Sequence, residues 1–196
     1  MEANWGPAGY DLPHNLSVSW VYQLPFGQGR RFASQSSALD YIVGGWSING
    51  IFTARTGTPF SIDNGFGDTA NTGGAENRAD YLGGDLYPST RTRELFFNTD
   101  QFVTPDAFTF GNSTRNMMRN PHVTNWDFSI FKNFPLPITE TTRLEFRAEF
   151  FNGFNQQQLS SGGDYTGNPN FGRVFGTAQT EREIQFALKL IALLNF

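Results

Sequence analysis

Thr142–Phe151 reads TRLEFRAEFF. Arg143, Glu145, Arg147 and Glu149 alternate with Leu144, Phe146, Ala148 and Phe150. A β-strand sends successive side chains to opposite faces, so this stretch predicts one charged face and one apolar face. Same-face neighbours stand about 6.5–7 Å apart, and the alternating signs make the charged face an attractive ladder.

Period two recurs along the chain. In NLSVSWVYQL (15–24), Leu16, Val18, Trp20, Tyr22 and Leu24 share a parity, with Val21 breaking the polar one. In GWSINGIFTAR (45–55), Trp46, Ile48, Phe52 and Ala54 alternate with Ser47, Asn49, Thr53 and Arg55. In NWDFSIF (125–131), Trp126, Phe128 and Ile130 oppose Asp127 and Ser129. In EIQFALKLIALLNF (183–196), Ile184, Phe186, Leu188, Leu190, Leu194 and Phe196 oppose Gln185 and Lys189. The pattern predicts five strands, each about ten residues long, the length of a tilted transmembrane strand. The last segment also contains good helix formers, and a helix is its alternative.

The segments between strands are unequal. The first pair is joined by PFGQGRRFASQSSALDYIVGG and the third pair by NFPLPITET. Residues 56–122 and 152–181 form far longer connections rich in Gly, Asn, Thr and Asp, and segments that long are uncommon in a soluble domain. In an up-and-down meander the long connections fall on one side and the short ones on the other. Outer-membrane barrels have this asymmetry, with the long loops extracellular.

Composition excludes several classes. The chain has 196 residues, 16% charged and 16% aromatic, with 21 Phe, 21 Gly and no Cys. Thiol catalysis, a disulfide scaffold and a Cys-ligated zinc site are therefore out. Net charge is −4 and no basic run occurs, so no nucleic-acid partner is expected. MEANWGPAGYDLPHNL does not read as a signal peptide, and no apolar stretch reaches the length of a membrane-spanning helix.

Two readings account for the alternation. A soluble antiparallel module, recognising glycans through exposed aromatics, would bury the apolar face and wet the other. A membrane barrel would turn the apolar face to lipid. Trp20, Tyr22, Trp46, Trp126 and Phe150 near strand ends suit an aromatic girdle, and the lopsided loops suit the same reading.

Five strings extend the pattern: VSWVYQLPFGQGRRF, GGWSINGIFTARTGTPFSI, FGNSTRNMMRNPHVTNWDFSIFKNFP, TRLEFRAEFFNGFNQ and NFGRVFGTAQTEREIQFALKL. In this order, from about Trp5 to Leu190, they resemble the C-terminal part of the β-barrel of TonB-dependent outer-membrane receptors. The Oar-like group, which carries a carboxypeptidase-regulatory-like domain, is the most similar. The resemblance implies an all-β antiparallel up-and-down meander of about five long strands. Such a meander is an incomplete part of a large transmembrane β-barrel with long extracellular loops, because the smallest membrane barrels need about eight strands.

Residues 1–196 are then expected to be a C-terminal fragment without plug domain or TonB box, in the cell outer membrane of a Gram-negative-type bacterium. Its partners would be outer-membrane lipid, the remaining strands and plug of the parent receptor, and the outer-membrane assembly machinery. TonB would be reached only through N-terminal parts that this sequence lacks. The function implied is uptake of a large or scarce nutrient. In such a wall Asp127, Arg143, Glu145, Arg147, Glu149 and Lys189 would face the lumen or its plug. An Arg turned to lipid would cost about 2–4 kcal/mol at the midplane. Phe196 keeps the apolar parity and would serve as the terminal aromatic assembly signal if Ile191–Asn195 continue the strand. If they fray, Leu190 or Ile191 ends it.

The remaining constellations predict structure more than chemistry. DNGFGD (63–68) resembles a calcium loop, but its spacing is not that of an EF-hand and the closing Glu is missing, so an Asx/Gly turn is expected. Gly27 and Gly29 predict a turn, with Arg30 and Arg31 at the periplasmic rim. His14 and His122 have no partner at metal-ligand spacing. Arg115 and Arg119 in GNSTRNMMRNP are read as pinning the long loop to the barrel rim, with direct ligand contact as the alternative. No Ser-His-Asp set or G-x-S-x-G elbow is present, so no catalytic residue is assigned and the chain is not read as an enzyme, and no cofactor or metal site is assigned either.

Overall fold

The computed structural model describes residues 4–27, 29–32, 37–74, 77–138, 142–161, 163–177 and 180–192. In chain order the elements are β1 (Asn15–Gln23), α1 (Ser37–Val43), β2 (Trp46–Arg55), β3 (Pro59–Phe60), β4 (Asp80–Tyr81), β5 (Phe102–Val103), β6 (Met118–Arg119), β7 (Val123–Pro135), β8 (Arg143–Phe151), β9 (Leu159–Ser161), β10 (Val174–Thr177) and β11 (Glu183–Ile191). Five of them form one sheet in the order β1-β2-β7-β8-β11, an antiparallel meander.

The five long strands predicted from alternation are these five. TRLEFRAEFF is the fourth, pairing Phe150 with Phe128 on one side and with Ile184 on the other. EIQFALKLI is a strand and not a helix, because every residue from Glu183 to Ile191 pairs across to β8. Phe196, the expected assembly signal, lies outside the described residues. The third strand is longer than the alternation suggested and runs on through Phe131-Lys132-Asn133-Phe134 to Pro135.

By its contacts the chain forms two units. One is the sheet unit, with Leu16–Ala54, Thr124–Gln156 and the segment from Thr180 onward. The other comprises the N-terminal segment through Asn15, Arg55–Val123 and Gln157–Gln179, which are mostly the two long connections. Those connections are not structureless. Ile62, Ala79, Phe96, Phe97, Phe102, Met118 and Val174 bury together into a core. Phe97 is fully buried, with ring centroids 5.2 Å from Phe171, 5.9 Å from Phe102 and 6.2 Å from Phe60. Three short antiparallel pairs, β3–β6, β4–β5 and β9–β10, frame it.

Within the sheet unit, Gly50 is the residue on β2 that Trp20 covers. The Trp20 indole and the Asp127 carbonyl occupy the space a β-carbon would take. Glycine in a strand interior often marks such a close approach, with the aromatic ring supplying the missing packing. Gly50→Ala is therefore expected to destabilise the sheet by about 1–3 kcal/mol through overpacking. Denaturant unfolding followed by Trp fluorescence measures it, and an unchanged midpoint would contradict the packing described.

Candidate functional site

The sheet is chemically two-faced: the even-numbered face is mostly apolar on every strand, and the odd-numbered face is mostly polar but also carries Val21, Ile51, Phe131 and Phe151. The even-numbered face carries an aromatic chain. The Trp20 ring meets Trp126 at 6.0 Å, Phe52 meets Trp126 at 4.4 Å, Phe128 stacks on Phe150 at 4.8 Å, and Phe146 stacks on Phe186 at 6.3 Å. Rings from all five strands take part. Along β11 this face is open: Ile184, Phe186, Leu188 and Leu190 are 44%, 70%, 66% and 62% exposed. Among the described residues the buried core cluster contains no residue of the five-stranded sheet. A soluble sandwich requires that face to pack against a second layer. An apolar face left open to this extent marks a lipid or protein interface.

The odd-numbered face of β8 carries the charges. Arg147 lies between Glu145 and Glu149, with N–O distances of 3.1 and 3.6 Å, and its guanidinium stands 4.7 Å from the Phe131 ring. The register sets Lys189 of β11 beside Glu145, and Gln185 beside Glu149. Arg143 is exposed at the start of β8. Asp127 does a different job. Its carboxylate accepts the Asn152 backbone N–H at 2.8 Å and the Asn125 side-chain amide at 2.8 Å. Asn152 has φ +46° and its amide donates to the Gln156 and Thr180 carbonyls. Asp127 and Asn152 therefore fix the NGFN turn that ends β8. That role was not visible in the alternation, because the decisive partner, Asn152, lies in the turn after β8, 25 residues along the chain.

Two residues reverse the face chemistry at the far end of β7. Phe131 lies among the charges and Lys132 among the apolar residues. Lys132 is 4% exposed and donates to the carbonyls of Ile42 at 2.9 Å and Gly44 at 2.6 Å. Its ammonium also lies 5.0 Å from the Trp46 ring and 4.9 Å from the Phe134 ring. The length of β7 brings it there, and sequence alternation read only as far as Phe131 missed it.

Arg119 is half-buried within the connecting unit. It forms an ion pair with Asp11 and donates to the Asp11 carbonyl at 3.1 Å and the Gly57 carbonyl at 3.3 Å. It ties the N-terminal segment and residue 57 to β6, so these partners belong to its own unit. Arg115 is exposed. In DNGFGD the Asp63 carboxylate accepts the Gly65 N–H at 2.8 Å and Asn64 accepts the Phe66 N–H at 3.0 Å, which is the expected Asx geometry. Phe32 donates back to Pro25, and Arg30 N–H to Gly27, across the expected PFGQGRRF turn. His14 and His122 are exposed. Among the described residues no three His, Asp or Glu side chains gather as a metal site, and no helix is long and apolar enough to cross a membrane.

A family model described as outer membrane beta barrel domain matches residues 1–185. The chain belongs to that family. No curated protein and no solved structure matches it significantly. Outer-membrane location follows, and with it membership of a membrane barrel wall. It also displaces the soluble glycan-binding alternative. The match ends within β11 of this outer-membrane β-barrel chain.

Proposed function

We propose that the chain is part of the barrel wall of a TonB-dependent, Oar-like receptor that imports a large or scarce nutrient. The observation that carries this reading is the pairing of an aromatic face with a charge ladder on one meander, together with the family-like strings quoted above. Leu144, Phe146, Ala148 and Phe150 face lipid. Asp127, Arg143, Glu145, Arg147, Glu149 and Lys189 face the lumen or its plug. The long connections, residues 56–122 and 152–181, are the extracellular loops, and the β1–β2 and β7–β8 connections are periplasmic turns. The wall has no catalytic role. It supplies a rigid, watery inner surface, while energy enters through a plug and TonB contact carried elsewhere in the complete receptor.

In the connecting unit Arg119 is a structural clamp. Arg115 is the freer of the two to meet a ligand. Cross-linking of the complete protein in living cells tests the reading. A TonB adduct and an encoded plug are expected, and a plug-less barrel that never cross-links to TonB would refute it.

Phe196 is the proposed assembly signal, since in the sequence it keeps the parity of Ile184 and Phe186 and is an aromatic residue. Its deletion is expected to lower the surface-exposed receptor level. An unchanged level would place the working strand end at Leu190 or Ile191.

A further inference from the structure

Helix α1 has no counterpart in the alternating pattern. It is seven residues, SALDYIV, about two turns, and too short to be stable alone. Something must hold it, and contacts from β2 and β7 do. The Tyr41 ring lies 5.6 Å from Phe134, and Lys132 caps the helix end. The Ile42 carbonyl accepts both the Lys132 ammonium and, at 3.0 Å, the Trp46 indole N–H, and the Gly44 carbonyl accepts Lys132 again. A cation at a helix C-terminus meets both the orphan carbonyls and the negative end of the helix dipole. Gly45, at φ +73°, lets the chain leave the helix directly into β2.

Trp46, Lys132 and Phe134 all belong to the even, aromatic face. The helix is therefore docked on the same side of the sheet as Phe128, Phe146 and Phe186. Its outward side is apolar: Leu39, Ile42 and Val43, related by three and four residues, are 54%, 64% and 38% exposed. The exposed Arg30 and Arg31 lie in the same connection, with the Arg31 guanidinium 5.5 Å from the Phe32 ring. The only charge on the helix itself is Asp40, and the basic residues stand before it in the connection. An apolar helix side near Trp46, with arginines in the same connection, fits the boundary between acyl chains and headgroups.

We propose that α1 is an in-plane interfacial helix, seated in the headgroup–acyl boundary of the outer membrane and held to the wall by Lys132. The occupant of its apolar side is phospholipid, because that side continues the membrane-embedded face. Lys132 can stand among aromatic residues because the helix carbonyls satisfy it, which removes the cost of an unpaired cation in an apolar setting. The proposal rests on the assignment of the even face to lipid.

The chain has no cysteine, so single cysteines report position cleanly. The complete barrel protein, carrying Ile42→Cys, Phe146→Cys or Glu145→Cys with an environment-sensitive fluorophore, is folded into phosphatidylcholine–phosphatidylglycerol vesicles. The phosphatidylcholine is brominated either near the headgroup or deep in the chain. The label at residue 42 should be quenched by shallow bromine, the label at 146 by deep bromine, and the label at 145 by neither. In Lys132→Met the label at 42 should lose its shallow quenching while that at 146 keeps its deep quenching. Methionine suits a lipid-facing strand position, so the sheet survives the change. If 146 is quenched and 42 is not, the helix is not interfacial and the face assignment stands. If 146 is not quenched either, the face assignment itself falls and takes the proposal with it. Shallow quenching at 42 that persists in Lys132→Met would overturn the holding role of Lys132.

Discussion

Phe146→Arg is expected to block folding into bilayers, whereas Glu145→Gln leaves it nearly unchanged. Phe146 stacks on Phe186 on the even face and sits opposite Lys132 in the β7–β8 register. An Arg there would place a guanidinium against hydrocarbon, at a cost of up to about 2–4 kcal/mol that falls toward the interface, and would face a like charge across the strand pair. Glu145→Gln removes one of the two carboxylates beside Arg147 and leaves Glu149 in place. Arg147 is partly exposed, and such pairs contribute about 0–1 kcal/mol. Heat-modifiable gel mobility of the complete barrel, folded into phospholipid vesicles, reads both variants. Equal losses would mean that the two faces are not chemically distinct to the bilayer.

The second large effect belongs to the connecting unit. Phe97→Ala should cost about 3–5 kcal/mol, the usual range for a buried Phe, because its ring joins Phe60, Phe102 and Phe171. The loss should be local. Amide hydrogen exchange should accelerate at Phe60, Phe102 and Met118, while the β7–β8 ladder keeps its protection. Unaltered exchange in the connecting unit would show that its core does not hold the long connections together.

The sheet was legible because its signal is local. A strand with two chemically different faces must alternate, so Leu144 to Phe150 could be assigned to a strand before any partner was known. The order of the five strands followed from the same pattern, since a meander adds them in chain order. The connecting unit was not legible for the opposite reason. Its core joins Ile62, Phe97, Met118 and Val174 across long stretches of Gly, Asn and Asp, through paired strands of as few as two residues that leave no period to read. Helix α1 was hidden in a connection because what stabilises it, Lys132, lies far away in the chain on β7. Lys132 also shows where alternation misleads. A lysine on the apolar parity looks like a break in the strand, until two carbonyls from another element account for it.

The account stands on one claim, that β8 divides lipid from water. Single cysteines placed in turn at positions 143 to 151 of the complete protein, probed in outer membranes with a membrane-impermeant thiol reagent, test it most directly. Positions 144, 146, 148 and 150 should be protected until detergent is added, and 143, 145, 147 and 149 should label with a period of two. Labelling that is uniform along the strand, or protection confined to the charged positions, would contradict it.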